Sequence, residues 1–197
     1  MKSGVTVRSD NSQAILDALK TIGKKEVLIG IPEDASSRED AHFGNAGIGY
    51  LNEFGSPAQN IPPRPHLQPG IRSADDQTIP LLKEAAQAAL DGNTTGAERA
   101  LGQAGQKAVN GVKIYMHKAN FTPLADSTIE ARAKRGKKGR KGARAELARR
   151  DANGKLNATN AESGQLISNE NARPLIDTGK YSDSIKYIVR DKDEKYF

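Results

Sequence analysis

Cysteine and tryptophan are absent from this sequence of 197 residues, and only 5% of its residues are aromatic. Without cysteine the chain can form no disulfide bond, no thiolate metal ligand and no thiol nucleophile, a composition that suits a reducing cytoplasm. No apolar run of about 18 residues occurs, so we predict no membrane-spanning segment. Residues 1–10 lack the apolar region of a signal peptide, so we expect no secretion.

Residue types that catalyse reactions or hold metal ions are scarce and scattered. The three histidines, His42, His66 and His117, do not have the spacing of metal ligands. Neither a Gly-rich phosphate loop nor a Gly-x-Ser-x-Gly nucleophile motif is present. Glu53 and Asp177 could be imagined as an acid and base pair, but a role at a helix end or a turn is simpler for each. We therefore expect no enzyme, no cofactor and no metal site.

Positive charge is concentrated in one segment of the chain. The formal net charge is +6, yet the residues from 131 to 150 contain ten basic side chains and one acidic side chain, Glu146. This segment therefore carries +9, which leaves −3 for the remainder of the chain. The ten basic residues are Arg132, Lys134, Arg135, Lys137, Lys138, Arg140, Lys141, Arg144, Arg149 and Arg150.

The polar stretch from about 132 to 172 is interpreted as a flexible basic insertion within a single domain covering residues 1–197. A dense Lys/Arg run can bind phosphate by counterion release without reading a base sequence. Because the run contains no aromatic residue, base stacking is not expected. Contact with DNA, contact with an acidic neighbouring subunit and a solvated loop remain open, and we favour protein contact. On this interpretation, replacing all ten basic residues should leave the fold intact.

Apolar periodicity predicts short strands and longer helices. Residues 26–31 form an almost continuous apolar run, which predicts a strand that is buried on both faces or central in its sheet. Alternation at 185–190 predicts a second strand, and Val5 with Val7 indicates a third. Helices are predicted from Asp10 or Ser12 to Gly23, from Ser73 or Pro80 to Gly92, from a Thr95–Glu98 capping box through Tyr115, and from Thr122 through Ile129.

The helix predicted from 95 to 115 has an apolar face made mostly of alanine, with Gly102, Gly105 and Gly111 nearby. Small residues let another backbone approach closely, so we expect this helix to pack tightly on the sheet. A core role is a simpler interpretation of this face than a cofactor site.

Residues 44–71 combine a short amphipathic helix with a proline-rich segment. Ile48, Leu51 and Phe54 form one apolar line, and Gly55 is placed to end the helix. Three prolines follow at positions 62, 63 and 65, and each disfavours helix in the residue before it. Residues 61–67, called the proline arm below, are therefore predicted to be stiff and extended, with Pro69-Gly70 handing over to the next helix. The arm should lie on the chain's own sheet or on a neighbouring subunit.

Three sequence elements, in order, resemble one protein family. The first is Asn52-Glu53-Phe54-Gly55-Ser56-Pro57, followed by Ile61-Pro62-Pro63-Arg64-Pro65-His66-Leu67-Gln68-Pro69-Gly70-Ile71. The second is Phe121-Thr122-Pro123-Leu124 with Ser127-Thr128-Ile129, and the third is Arg173-Pro174-Leu175-Ile176-Asp177-Thr178-Gly179-Lys180 with Ser184-Ile185-Lys186-Tyr187. Together they resemble the tailed-phage neck and tail-completion family. His66 stands where phenylalanine is usual in that family, and Gln68 where arginine is usual.

The resemblance implies an α+β fold, with a small antiparallel sheet packed against a long helix and with long flexible loops. It also implies a structural virion protein, made in the cytoplasm of a bacterial host. Copies of the chain would form a ring of six or twelve subunits at the phage neck, joining the head connector to the tail. Its partners would be head-connector and tail proteins, with non-specific contact with genomic DNA left open. Whether the chain is a neck protein or a tail terminator also remains open.

Subunit contacts are expected at the proline arm, at the 34–45 loop and at the basic segment. The residues assigned to the subunit interface are Phe54, Ile61, Pro63, Arg64, Pro65, His66 and Leu67. The residues assigned to protein or DNA contact are Arg132, Lys134, Arg135, Lys137, Lys138, Arg140, Lys141 and Arg144. The alternative function is a basic nucleic-acid-binding protein that acts through residues 132–150.

Overall fold

The computed structural model describes residues 11–37, 43–135, 140–152 and 171–192. Its elements, in chain order, are α1 (Ser12–Lys24), β1 (Lys25–Gly30), α2 (Glu33–Ser36), α3 (Asn45–Phe54), a 3-10 turn (Pro57–Gln59), α4 (Leu67–Arg72), α5 (Asp75–Leu90), α6 (Thr94–Lys118), α7 (Asp126–Lys134), α8 (Arg140–Ala152), α9 (Lys180–Ser184) and β2 (Lys186–Asp191). The strand expected at Val5 and Val7, and His42, lie outside the described residues.

Strands β1 and β2 pair as a two-stranded antiparallel sheet packed against helices, so the expected α+β class is confirmed. The expectation that the first strand would be buried on both faces is wrong. Its residues are partly exposed, and Leu28 retains 39% of its accessible surface. Among the described strands, β1 pairs only with β2, so one of its edges has no neighbouring strand and its side chains remain partly accessible to solvent.

The chain divides into two compact units. Unit 1 comprises the described residues within 1–29, 74–108 and 187–197, and unit 2 comprises those within 30–73 and 109–186. The single domain expected over residues 1–197 stays a prediction.

Unit 1 is built around the small-residue face of α6. Ala85 of α5 and Ala100 and Leu101 of α6 are buried together, and side chains from α1 and both strands pack against them. A Cβ atom at Gly105 would lie 2.5 Å from the ring of Tyr187 on β2. This contact confirms the expected close packing of this helix on the sheet, because only glycine leaves room for the aromatic ring.

Unit 2 has an apolar cluster between α7, α8 and the chain near residue 172. Leu124, Ile129, Ala133, Ala143 and Ala172 are buried in it. The flexible insertion expected over about 132–172 therefore contains a helix of 13 residues, α8. Residues 136–139 and 153–170 lie outside the described residues.

Several helix ends differ from the predicted ones. The cap of α6 is Asn93, whose Oδ1 accepts the N–H of Gly96 at 2.8 Å, whereas Thr95 was expected to fill this role. Helix α5 begins at Asp75 and continues through Pro80. Pro69 and Gly70 lie inside α4 rather than before a helix. These positions depend on which neighbours satisfy the terminal N–H groups, and apolar periodicity does not report that.

Glycine at position 70 is required by a close contact between α4 and α6. A Cβ atom there would lie 2.5 Å from the Cα atom of Val112, and a backbone atom cannot move aside as a side chain can. We expect Gly70→Ala to lower the free energy of unfolding by about 1–3 kcal/mol, through overpacking. Chemical denaturation with a circular-dichroism readout measures this change.

The matched control is Gly23→Ala in the last turn of α1, where nothing lies within 4 Å of the added Cβ atom. This variant should be neutral or more stable by up to about 1 kcal/mol, because alanine restricts the unfolded chain. Equal effects of the two alanine substitutions would contradict the proposed contact.

Candidate functional site

The proline arm is fastened to the end of α3. Ser56 and Ile61 form an antiparallel bridge with reciprocal backbone hydrogen bonds of 2.8 and 3.0 Å. The Arg64 N–H donates to the carbonyl of Asn52 at 2.6 Å. The arm therefore lies along its own helix α3, a support that the sequence analysis did not consider.

Gly55 allows the chain to reverse direction at this point. Its φ of 76° lies in the left-handed region, and a Cβ atom would meet the Ile61 carbonyl oxygen at 2.8 Å and the Pro63 nitrogen at 2.9 Å. Both the backbone angle and the available space thus exclude larger residues. The prediction that Gly55 ends the first helix of this segment is confirmed.

The carboxylate of Glu53 caps α4 from outside that helix. Oε2 accepts the backbone N–H groups of His66 at 2.8 Å and Leu67 at 3.0 Å, and Oε1 accepts that of Gln68 at 3.3 Å. A negative charge suits a helix N-terminus, where several N–H groups have no partner within the helix. The helix-end role predicted for Glu53 is confirmed.

His66 is fully buried between the arm and α9. Its Nδ1 lies 2.9 Å from the Arg64 carbonyl oxygen and 3.2 Å from Oε2 of Glu53, and both of these atoms are acceptors. Nδ1 therefore carries the hydrogen of the neutral ring, and Nε2 accepts the hydroxyl hydrogen of Tyr181 at 2.5 Å. Gly49 makes room for the tyrosine, since a Cβ atom there would lie 3.0 Å from the hydroxyl oxygen.

Burial keeps both rings neutral. It lowers the pKa of His66 below its ordinary value of 6.5, against smaller opposing effects of the Arg64 carbonyl and the Glu53 charge. Burial and the Glu53 charge raise the pKa of Tyr181. The two side chains thus form a neutral hydrogen-bonded pair over the physiological range.

Arg64 connects the arm to the segment before α7. Its Nε donates to the Thr122 carbonyl at 2.8 Å, and its Nη2 donates to the Pro123 carbonyl at 2.9 Å. These residues were expected to start a helix, but α7 begins at Asp126. The Thr122–Pro123 chain instead presents its carbonyl groups to the guanidinium.

All three sequence elements of the resemblance therefore meet in unit 2. The arm contacts the 121–124 segment through Arg64 and the 173–187 segment through His66 and Tyr181. We call Glu53, Arg64, His66 and Tyr181, together with these bonds, the polar clasp. The polar clasp joins residues up to 115 positions apart in the chain.

The residues assigned to the subunit interface divide into buried and exposed groups. Arg64 is 7% exposed and His66 is 0% exposed, because both bind other parts of the chain. Their side chains therefore face inward, contrary to the expectation of an outward contact. Exposed residues are Phe54, Pro63 and Pro65, whereas Ile61 and Leu67 are half-buried. Their contact with another subunit stays a prediction.

An exposed aromatic pair stands on the outer face of α3. Phe54 is 67% exposed and Tyr50 is 65% exposed, and their ring centroids lie 4.9 Å apart. Phe54 was expected to continue the apolar line of Ile48 and Leu51, but its ring faces solvent. Tyr50 was not singled out in the sequence, although its spacing of four residues from Phe54 places both on one helix face.

Most cations of α7 are neutralised within the chain. Arg132 and Arg135 pair with the Asp177 carboxylate at 3.7 and 2.7 Å, and Lys134 lies 3.9 Å from Glu130. Arg132 also donates to backbone carbonyl groups of the 173–176 segment. Asp177 was expected to act at a helix end or a turn, and in the structure its carboxylate forms ion pairs with these two arginines.

Helix α8 contributes a buried ion network. Arg150 is 1% exposed, and its guanidinium contacts Glu146 at 3.1 Å, Asp126 at 2.5 Å and the Leu124 carbonyl at 3.0 Å. Arg149 contacts Glu146 at 2.5 Å. Burial opposes ionisation of Glu146, but its hydrogen bonds to both arginines hold the pKa of this carboxyl below its usual value.

The expectation that all ten basic residues could be replaced without loss of the fold is therefore wrong. Removing Arg150 would deprive the buried carboxylate of Glu146 of an ion-pair partner. Removing Arg132 would leave two backbone carbonyl groups without the hydrogen bonds that it donates. Of the ten basic residues, those that form no ion pair within the described part of the chain are Arg140, Lys141 and Arg144. Lys137 and Lys138 lie outside the described residues.

The ion network was missed although the sequence contained a signal for it. Glu146, the single acid of the segment, lies three and four residues before Arg149 and Arg150, a spacing that joins side chains on a helix. Tyr181 gave no comparable local signal, because its partner His66 is 115 residues away.

Comparison with protein-family models, with curated protein sequences and with solved structures gives no match. Among the described residues, no helix is both long and apolar enough to cross a membrane.

The polar clasp predicts a pH dependence of stability. Because burial lowers the pKa of His66 in the folded state, the unfolded chain binds a proton first as the pH falls below about 6.5. The contribution of the clasp to the free energy of unfolding should be complete above that pH and should decline as the pH falls below it. Urea denaturation across this range measures the change.

The double variant His66→Phe, Tyr181→Phe is the control, because it removes both polar partners and keeps the ring volumes close. Its stability should vary less with pH in the same window. The single variant His66→Phe should lose about 1–3 kcal/mol more than the double variant, since it leaves a buried hydroxyl unpaired. Parallel pH profiles for the wild type and the double variant would refute the role of His66.

The ion network predicts unequal roles for neighbouring arginines of α8. Arg150→Met should lower the free energy of unfolding by about 3–5 kcal/mol, because it breaks a buried charge pair. Arg144→Met on the exposed side of the helix should change it by less than about 0.5 kcal/mol. Thermal denaturation of the two variants tests this, and a similar small effect of both would show that the network contributes little.

Proposed function

We propose that this chain is a structural protein of a tailed-phage neck, where identical copies form a ring that joins the head connector to the tail. The observation that carries the proposal is the polar clasp. Three elements whose sequence resembles the neck and tail-completion family converge through it on one place in unit 2.

The polar clasp would also give a subunit-contact surface a fixed conformation. With the arm fixed by Arg64 and His66, the exposed residues Phe54, Pro63 and Pro65 keep a defined position beside one another on the chain. A cyclic ring needs contacts in which one face of each copy meets a different face of the next. A rigid apolar patch of this kind suits such a contact, because little ordering entropy is lost when it binds.

The charges of the basic segment favour a protein contact over DNA binding. Ion pairs within unit 2 occupy Arg132, Arg135 and Arg150, so the free positive charge is smaller than the sequence indicates. Exposed Lys141 and Arg144 remain available to an acidic neighbour. The alternative function, nucleic-acid binding, would require tight duplex binding with a steep loss of affinity as salt increases.

The exposed aromatic pair provides the test of ring formation. The double variant Tyr50→Ala, Phe54→Ala should keep the melting temperature of the isolated chain within a few degrees, because both rings are exposed. It should fail to restore infectious particles to a phage that lacks this gene. Electron micrographs should then show filled heads separate from finished tails.

Ile114→Ala is the matched control, since Ile114 of α6 is 52% exposed and lies away from the proline arm in the sequence. It should complement the deletion normally. Full yields of infectious phage with the aromatic double variant would reject the assigned contact, and absence of the chain from purified particles would reject the function itself.

A further inference from the structure

A cavity of about 170 Å³ lies in unit 2 beside Arg64. Its wall is formed by α3, the proline arm, α7 and the 175–181 segment, and its ionisable side chains include Arg64, Arg132 and Asp177. A water molecule occupies about 30 Å³ in the liquid, so the space accommodates a group of about five heavy atoms.

The charges around this cavity do not balance. The Asp177 carboxylate is shared by Arg132 and by Arg135, which lies 2.7 Å from it. Arg64 has no carboxylate within ion-pair distance among the described residues, although it is 7% exposed. A buried guanidinium bound only to neutral carbonyl groups is costly, because the lost hydration of the charge is only partly replaced.

The donors of Arg64 are also incompletely used. A guanidinium has five N–H groups, and the carbonyl groups of Thr122 and Pro123 accept two of them. Arg64 lines the cavity, and its planar group suits an acceptor with two or more oxygen atoms. Burial, with a smaller contribution from the charge of Arg132, lowers the pKa of Arg64.

The opposite wall is held in an uncommon backbone conformation. Leu175 has a φ of 63°, which branched and bulky residues rarely adopt. Arg132 stabilises this wall by donating to the carbonyl groups of Arg173 at 2.9 Å and Ile176 at 3.0 Å. Strained backbone of this kind is concentrated at binding sites, where the surrounding contacts maintain it.

We infer that this cavity binds a single oxyanion group, a phosphate or a carboxylate, with Arg64 as its principal partner. The group would supply the negative charge that the described residues of the cavity do not provide, and it would accept the N–H groups of Arg64 that those residues leave unused. Nothing in the inference depends on ring formation, so it stands apart from the proposed function.

The test titrates the full chain with sodium phosphate and, separately, with sodium acetate at constant ionic strength. The melting temperature should rise with either or both anions in a saturable manner, because a ligand that binds only the folded state stabilises it by mass action. Isothermal titration calorimetry should give one site per chain. A response to phosphate alone identifies the phosphate group, and a response to acetate identifies a carboxylate, such as that of a protein side chain.

Two variants of Thr178, which lines the cavity, separate site binding from general salt effects. Thr178→Glu places a carboxylate at the cavity and should raise the melting temperature while abolishing the response to added anion. Thr178→Gln has nearly the same shape without the charge and should still respond. Arg64→Lys keeps the positive charge but loses the planar fork, so it should bind at least several-fold more weakly.

No saturable response to phosphate or acetate in the folded wild-type chain would overturn the inference. A Thr178→Glu variant that responds as the wild type does would overturn it equally.

Discussion

The requirement that buried polar groups be hydrogen-bonded governs the arrangement of unit 2. The proline arm contains Arg64 and His66, two residues that are seldom buried without partners. Because Pro62, Pro63 and Pro65 have no N–H group, the arm cannot be held by a regular backbone ladder. A few backbone hydrogen bonds, from Ile61 and Arg64 to the end of α3, and the side chains of the polar clasp hold it instead. Those bonds fix where the exposed residues of the arm lie and thereby connect the fold with the proposed contact surface.

The basic segment shows why charge counted along a sequence differs from charge available at a surface. Ten cations in twenty residues suggested a solvated polyelectrolyte loop. In the structure, Arg132 and Arg135 neutralise Asp177, and Arg150 lies buried against Glu146 and Asp126. Four carboxylates therefore pair with cations of the segment. Glu146 belongs to the segment, whereas Asp126, Glu130 and Asp177 lie outside it. The free positive charge of the described basic residues is therefore smaller than a count along the sequence indicates.

Local patterns predicted the local parts of this structure. Helices α1, α3 and α6, both described strands and the stop at Gly55 follow from periodicity and glycine chemistry, which involve neighbours in the chain. The inward direction of Arg64, the late start of α7 and the cap at Asn93 could not be predicted in the same way. Each depends on a partner in space or on a competing local hydrogen bond. The full extent of helix α8 was not predicted, because its polar composition hid the pairing of Glu146 with Arg150.

The histidine at position 66 is understood best together with Tyr181. In the family that the sequence resembles, phenylalanine is usual at this place, and a phenyl ring would fill the same volume. It would accept no hydrogen bond, so the buried Tyr181 hydroxyl would lose its partner, which is more costly than losing the pair as a whole. A histidine at position 66 is therefore matched by Tyr181 within this chain. A neutral His66 requires an acceptor role for Nε2, and the hydroxyl of Tyr181 satisfies it while α9 is held against α3.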